Sequence, residues 1–301
     1  MTRPPYLKEG DNIGIVCPAG YMPAESAETA LKVFKEWGFK VTPGITFGKK
    51  HNYFAGTDDE RLYDLQHMMD DPAIDAIFCA RGGYGTGRII ERLSFRKFCK
   101  RPKWIIGFSD ITVLHSHLFA NYKIASLHAP MASAFNDGQY SNEFIQSLHE
   151  ALTGKKGGYE VASHAYNRYG SVKGTLVGGN LSLLAHLVGT SSEVNTKGKI
   201  LFIEDIGEYI YNIDRMLYQL KRSGVFENLG GLIVGGFTEI KDTEIPFGQA
   251  VEEVIRDIVD PYSFPVCFSF PVSHEKENYA LKVGVKYKLT VKETKSTLKE
   301  L

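Results

Sequence analysis

Strand-like runs alternate with helical segments through the first half of the chain, and this alternation constrains the fold more than any other feature. The runs lie at residues 12–20, 39–41, 75–80 and 104–106, and helical apolar spacing lies at residues 27–37, 58–69 and 89–93. Strands that alternate with helices over short connections predict a parallel sheet covered by helices on both faces. Ligands bind such sheets at the carboxyl ends of the strands, so we expect function in the loops at that edge.

The loop after the run at residues 104–106 resembles a nucleophile elbow. The run ends at Gly107, Ser109 follows two residues later, and helical apolar spacing begins at Ile111. A serine at such a corner lies at a helix N-terminus, where free N–H groups and the positive end of the helix dipole favour developing negative charge. The sequence Gly-Phe-Ser-Asp differs from the G-x-S-x-G pattern, and serine is also a common helix cap. Two roles therefore stay open for Ser109, a nucleophile or a cap.

A glycine-rich loop at residues 81–88 follows the run at 75–80, on the same predicted sheet edge. It contains Gly82, Gly83, Gly85 and Gly87. The final glycine of G-x-G-x-x-G is missing, and the chain has no G-x-x-x-x-G-K-[ST], which argues against a phosphate-binding loop. The glycines either let backbone N–H groups approach a reacting carbonyl, as an oxyanion hole requires, or simply allow a tight turn.

The sequence becomes polar and glycine-rich between residues 152 and 173, which indicates a domain boundary. Strand patterns follow at 199–203, 231–235 and 265–270, with a helical pattern at 213–220 and alternating apolar residues at 279–291. We expect an N-terminal domain over residues 1–160 and a C-terminal domain over residues 161–301. The predicted fold class is α/β, an N-terminal parallel sheet flanked by helices with a smaller C-terminal α+β domain rich in strands.

A hydroxyl nucleophile needs a base within hydrogen-bond reach and a carboxylate that orients this base. Most of the nine histidines lie in helical or polar stretches typical of packing or surface residues. His128 follows a predicted strand and is a candidate wall of the site, and His274 lies in a loop after a strand of the second domain. Glu204 ends the strand at 199–203, where an acidic cluster at a helix start is the alternative explanation. Residue type and position do not choose among these candidates.

Composition excludes several classes of function. The 35 basic and 35 acidic side chains balance, so no basic surplus suggests nucleic acid or a membrane surface as a partner. The four cysteines are widely spaced without C-x-x-C, which indicates neither a zinc ribbon nor a redox pair. The N-terminus has no apolar signal region, and no run approaches the length of a membrane span. We therefore expect a reduced, soluble, cytoplasmic protein.

Five motifs in this order resemble the LD-carboxypeptidases, serine peptidases with a Ser-Glu-His triad that also include the microcin C immunity peptidases. They are Arg81-Gly82-Gly83-Tyr84-Gly85, Gly107-Phe108-Ser109-Asp110, Gly178-Gly179-Asn180-Leu181, Leu201-Phe202-Ile203-Glu204-Asp205, and His274 with Asn278. The resemblance implies that Ser109 is the nucleophile, His274 the general base and Glu204 its orienting carboxylate. It further implies an oxyanion hole formed by the backbone N–H of Asp110 and one from Gly82 or Gly83. The serine would belong to the N-terminal domain and the other two triad residues to the C-terminal domain.

The resemblance also implies an activity, the release of terminal D-alanine from murein tetrapeptides during cell-wall recycling, without a metal or other cofactor. The alternative is an immunity-type peptidase that cleaves aminoacyl-nucleotide amides. Family members are commonly dimers, so we expect a homodimer. Tyr84 and Arg88 are candidate substrate contacts, since a guanidinium can hold a terminal carboxylate, although Arg88 also fits a surface helix. The chain departs from the family at Ser273 and Ala129, where glycine is usual, and a side chain at residue 273 narrows the loop that carries His274.

Overall fold

The computed structural model describes residues 1–136, 138 and 142–301. The chain divides into two compact units. The first comprises residues 1–155 and 279–282, and the second comprises residues 156–278 and 283–301. Each unit is built around its own sheet.

The sheet of the first unit confirms the predicted parallel α/β architecture. Its strands are β1 (Asn12–Val16), β2 (Lys40–Pro43), β3 (Ala76–Cys79), β4 (Trp104–Gly107), β5 (Ser126–His128) and, much later in the chain, β11 (Leu281–Val283). The order is β11-β5-β4-β3-β1-β2, and every pair from β2 to β5 is parallel. The strands β3 and β4 are buried along their whole length, as expected for a sheet covered on both faces.

Five α-helices belong to the described part of this unit. They are α1 (Glu28–Glu36), α2 (Asp58–Asp70), α3 (Thr86–Ile89), α4 (Thr112–His117) and α5 (Glu143–Leu152). The start of α2 is a capping box, in which the Glu60 N–H donates to the Thr57 hydroxyl and the Thr57 N–H donates to the Glu60 carboxylate. At its other end the buried Lys103 ammonium donates to the backbone oxygens of Met68 and Asp71.

The segment that contains β11 packs on α5. The Ala280 N–H donates to the Ser147 hydroxyl at 2.9 Å, and the Lys282 ammonium donates to the Lys155 backbone oxygen at 2.9 Å. Residues 279–282 therefore complete the first unit, although more than a hundred residues of the second unit precede them in the chain.

The second unit contains a mixed sheet in the order β10-β9-β8-β7-β12-β13-β6. Its strands are β6 (Gly158–Ala162), β7 (Gly170–Asn180), β8 (Ile200–Ile206), β9 (Gly231–Thr238), β10 (Val266–Cys267), β12 (Lys286–Val291) and β13 (Lys295–Glu300). Strands β7 to β10 are parallel, whereas β12 pairs antiparallel with β7 and β13. The helices are α6 (Leu181–His186), α7 (Ile210–Arg222) and α8 (Val251–Val259). This is the predicted strand-rich α+β unit.

Across residues 1–136, 138 and 142–301, none of the helices has the length and apolar character needed to cross a membrane. Within the same residues, no group of three or more His, Cys, Asp or Glu side chains is arranged to hold a metal ion.

Candidate active site

Ser109 lies at a sharp corner between β4 and α4. Its φ angle is 62°, in the left-handed region that residues with a side chain rarely adopt. An N-cap serine normally takes extended backbone angles, so the helix-cap role does not fit this conformation. Strained backbone of this kind costs of the order of 1–3 kcal/mol and clusters at functional sites. The corner has the geometry of a nucleophile elbow, and the Ser109 side chain is half-buried.

His115 supports the elbow from within the core. Its Nε2 lies 2.8 Å from the Gly107 backbone oxygen, and its Nδ1 lies 2.8 Å from the Ser126 hydroxyl. Because a carbonyl oxygen only accepts, Nε2 carries the proton and Nδ1 accepts from Ser126. Burial lowers the pKa of His115 to about 4, so the ring is neutral near pH 7. His128, the candidate wall residue, is buried with its ring 5.6 Å from that of Phe108.

The glycine-rich loop lies directly against the elbow. A Cβ atom on Gly82 would stand 3.0 Å from the Cβ of Ser109, 3.2 Å from its Oγ and 3.4 Å from the backbone nitrogen of Asp110. A side chain at residue 82 would therefore crowd Ser109. Gly83 has a φ of 98°, which glycine also tolerates best. The first unit thus brings together the residues predicted for the nucleophile and the oxyanion hole.

The two candidate substrate contacts lie beside the ring of Phe54. The Arg88 guanidinium binds the Asp58 carboxylate at 2.8–3.0 Å and stands 5.4 Å from the Phe54 ring centre. Tyr84 is 53% exposed, with its ring 6.0 Å from that of Phe54. A substrate carboxylate at Arg88 would share the guanidinium with Asp58. Substrate contact by Tyr84 or Arg88 stays a prediction.

In the second unit, β8 ends with two carboxylates that make different contacts. Glu204 is fully buried, and its Oε2 lies 2.6 Å from the Nδ1 of His274. The neighbouring Asp205 instead accepts hydrogen bonds from the side chain of Asn180 at 2.8 Å and from the hydroxyl and N–H of Ser182 at 2.7 and 2.9 Å. Glu204 is therefore the carboxylate that pairs with an imidazole. Asp205 stabilises the start of α6 through its hydrogen bonds to Asn180 and Ser182.

The Glu204–His274 contact sets the protonation of both groups. Burial disfavours the imidazolium, but the hydrogen bond and negative charge of Glu204 outweigh this and raise the pKa of His274 above its usual value. Burial also disfavours the charged form of Glu204 and so raises the pKa of this carboxyl group. Because Nδ1–H donates to the carboxylate, the neutral ring keeps its lone pair on Nε2, the atom with which a general base accepts a proton.

Two glycines of β9 accommodate the loop that carries His274. A Cβ atom on Gly235 would stand 2.2 Å from the backbone oxygen of Val272, and the Gly236 N–H donates to that oxygen at 2.9 Å. Ser273, which replaces the usual glycine, accepts from the Glu275 N–H at 3.0 Å and donates to the Glu277 backbone oxygen at 3.1 Å. The Ser273 side chain therefore links two backbone positions of the loop that carries His274.

Comparison with known protein families gives two matches that follow each other along the chain. The model of the LD-carboxypeptidase N-terminal domain matches residues 13–129, and that of the LD-carboxypeptidase C-terminal domain matches residues 173–289. A probable murein peptide carboxypeptidase of Bacillus subtilis is 34% identical over 293 residues, 94% of this chain and 90% of the relative. The murein tetrapeptide carboxypeptidase of Pseudomonas aeruginosa is 30% identical, covering 90% of this chain and 91% of the relative.

Solved structures share the fold over nearly the whole chain. A muramoyltetrapeptide carboxypeptidase from Oxalobacter formigenes superposes with a TM-score of 0.88 and 33% identity, covering 96% of this chain and 98% of that one. A complex of the microcin C7 self-immunity protein MccF with adenosine monophosphate superposes with a TM-score of 0.87, covering 99% and 98% of the two chains. At 23% identity the second likeness shows the fold alone.

Proposed function

The chain belongs to the LD-carboxypeptidase family and is a serine-type carboxypeptidase, and on that premise we propose that it releases terminal D-alanine from murein tetrapeptides. The observation that carries the proposal is the 2.6 Å contact between His274 Nδ1 and the buried Glu204 carboxylate. A buried carboxylate that orients an imidazole is the base half of a hydrolytic triad. The elbow at Ser109 supplies a hydroxyl in the conformation that nucleophiles adopt.

In the proposed mechanism Ser109 attacks the carbonyl of the amide between an L-configured residue and D-alanine. His274 takes the hydroxyl proton on Nε2 and later gives it to the nitrogen of the leaving D-alanine, while Glu204 stabilises the imidazolium. The N–H of Asp110 and that of Gly82 or Gly83 donate to the oxyanion. Water activated by His274 then hydrolyses the acyl-enzyme and restores Ser109. A positioned base contributes about 10²–10⁴-fold, and one oxyanion donor roughly 10²–10³-fold.

Incubation with a free murein tetrapeptide, with D-alanine release as the readout, tests this function. We expect turnover by the wild type, loss of turnover in Ser109→Ala, and labelling of Ser109 by a fluorophosphonate. Ser94→Ala is the matched control, because Ser94 is exposed and its hydroxyl is outside the proposed triad. Full activity of Ser109→Ala would refute the assignment of the nucleophile.

A second substrate in the same assay separates the two branches of the family. An aminoacyl-nucleotide amide is the substrate class of the immunity-type alternative. Cleavage of this compound with no D-alanine release would replace the murein proposal while leaving the triad in place. The murein substrate has the better support, because two of the relatives, at 34% and 30% identity, carry murein peptide names.

We further propose a cytoplasmic homodimer. All four cysteines are free thiols, as is typical of a reducing compartment. Sedimentation velocity tests the dimer, with a single 33.6 kDa species as the contradicting result.

A further inference from the structure

The carboxylate of Asp110 joins the nucleophile elbow to the glycine-rich loop. Asp110 is 1% exposed, and its Oδ2 accepts a hydrogen bond from the Thr86 N–H at 2.8 Å. Thr86 directly follows the part of the loop that contains Gly82 and Gly83. The residue whose backbone N–H is one proposed oxyanion donor therefore holds, through its side chain, the segment that supplies the other.

A buried arginine holds the same loop through a second contact. Arg61, on α2, is fully buried, and its Nη1 donates to the Gly85 backbone oxygen at 2.9 Å and to the Pro18 backbone oxygen at 2.6 Å. Asp58 pairs with its Nη2, and the ring of Phe54 lies 4.8 Å from the guanidinium carbon. Arg61 thus connects the loop after β3 with the loop after β1.

The loop after β1 also contacts the predicted oxyanion loop without any side chain. The Gly20 N–H donates to the Gly82 backbone oxygen at 2.9 Å. Taking a guanidinium out of water is costly, even when a carboxylate pairs with it. An arginine in this position is better explained by the carbonyl groups that it orients than by the stability that its ion pair contributes.

We propose that Asp110 and Arg61 are positioning residues that set the spacing between the two oxyanion donors, the N–H of Asp110 and that of Gly82 or Gly83. This inference rests on the proposed function, because it assumes that an oxyanion forms at Ser109. Donors must lie about 2.7–3.1 Å from the oxyanion, and a misplacement of 1 Å can cost on the order of 10²-fold in rate. Asp110 and Arg61 hold two consecutive residues of this segment, the Thr86 N–H and the Gly85 backbone oxygen.

Substitutions at Asp110 test the first connection. Asp110→Ala removes the acceptor for the Thr86 N–H, whereas Asp110→Asn keeps an oxygen that can accept it. We expect kcat to fall roughly 100-fold in the alanine variant and about 10-fold or less in the asparagine variant, with KM changed less than about threefold in both. Partial rescue by asparagine separates positioning of the loop from a general loss of structure.

Arg61→Met tests the second connection, with Arg92→Met as the matched control. Arg92 pairs with Asp59 at the surface, so its loss removes an arginine–carboxylate pair that also involves α2 without touching the loop. We expect a kcat about 10-fold or more below wild type for Arg61→Met and wild-type kinetics for the control.

The rate of Ser109 acylation by a fluorophosphonate is the second readout, since it does not depend on the identity of the natural substrate. If the wild type is labelled but releases no D-alanine, the murein proposal fails, and the labelling rates of the variants still decide the present inference. Wild-type labelling rates in Asp110→Ala and Arg61→Met would overturn it. If Asp110→Ala fails to fold, as judged by circular dichroism, Asp110→Leu takes its place, since leucine fills the buried position but cannot accept from the Thr86 N–H. Arg61→Lys likewise replaces an unfolded Arg61→Met, and wild-type rates in the folded variant of each pair would overturn the inference. A wild type that is not labelled at all overturns this inference and the proposed mechanism together.

Discussion

Replacing Glu204 by glutamine is expected to lower the pKa of His274 and to impair catalysis. The substitution keeps the size of a fully buried side chain but removes the negative charge 2.6 Å from the imidazole Nδ1. The glutamine amide can also donate to Nδ1, which would place the ring proton on Nε2, the atom that accepts the proton of Ser109 in the proposed mechanism. The lost charge and the changed tautomer therefore both weaken His274 as a base.

The size of the effect follows from the contact. A hydrogen bond to a charged group contributes about 1.5–3 kcal/mol. Without this bond and the carboxylate charge, only burial acts strongly on the imidazole, and we expect the pKa of His274 to fall. In the wild type that pKa lies above 6.5, so kcat/KM should decrease as the pH falls through a value above 6.5 and the base becomes protonated. The loss of orientation should reduce kcat by roughly 10²–10⁴-fold.

Nuclear magnetic resonance titration of the histidine ring protons measures the pKa directly, with His274→Gln to assign the resonance. The pH dependence of kcat/KM for D-alanine release is the kinetic counterpart, and its acid limb should move to lower pH in Glu204→Gln. A pKa of His274 that stays at its wild-type value in the variant would refute the argument, because it would mean that the carboxylate does not control the imidazole.

Two further predictions concern the backbone on which the site is built. Gly235→Ala should abolish activity or folding, since its Cβ would stand 2.2 Å from the Val272 backbone oxygen. Gly158→Ala, whose Cβ would have nothing within 4 Å, should leave both unchanged. Thermal melting and D-alanine release measure the two variants, and wild-type stability and activity of Gly235→Ala would contradict the prediction. His115 has a pKa of about 4 in the folded protein against 6.5 as its ordinary value. The unfolded chain therefore binds its proton first as the pH falls, and this lowers the free energy of unfolding by about 3 kcal/mol between pH 7 and 4. His115→Gln, which can still donate to the Gly107 oxygen, should lose less stability over that range in urea titrations, and equal losses would show that His115 is not the group responsible.

The parallel sheet could be predicted because its signal is local. Strands β1, β3 and β4 are short apolar runs closed by loop signals, and both features lie within a few consecutive residues. The corner at Ser109 could be proposed for the same reason. The proposed partners of the serine could not be derived locally, because Glu204 and His274 are 70 residues apart and many carboxylates and histidines have similar surroundings in the sequence. The family resemblance, rather than residue pattern, selected them.

The supporting residues were missed because their role depends on tertiary contacts. His115 looks like any histidine on an apolar helix until the Gly107 oxygen and the Ser126 hydroxyl are placed on either side of its ring. Arg61 looks like an exposed helix arginine, yet it is fully buried. The one available signal was the acidic start of α2, where Asp58 lies three residues before Arg61 and pairs with it. Sequence periodicity carries no information about which backbone oxygens a buried side chain will reach.

The return of residues 279–282 to the first unit has a consequence for how the protein is made. Strand β11 is the edge of the sheet that carries Ser109, and it is synthesised after His274. During translation the sheet that carries Ser109 therefore lacks its last strand until Glu204 and His274 have both emerged from the ribosome. A nascent chain or a fragment that stops before residue 279 carries the serine on an unfinished sheet, without the contacts of Ala280 to Ser147 and of Lys282 to Lys155. The sheet on which the elbow stands is in this way completed only after every residue of the proposed triad has been synthesised.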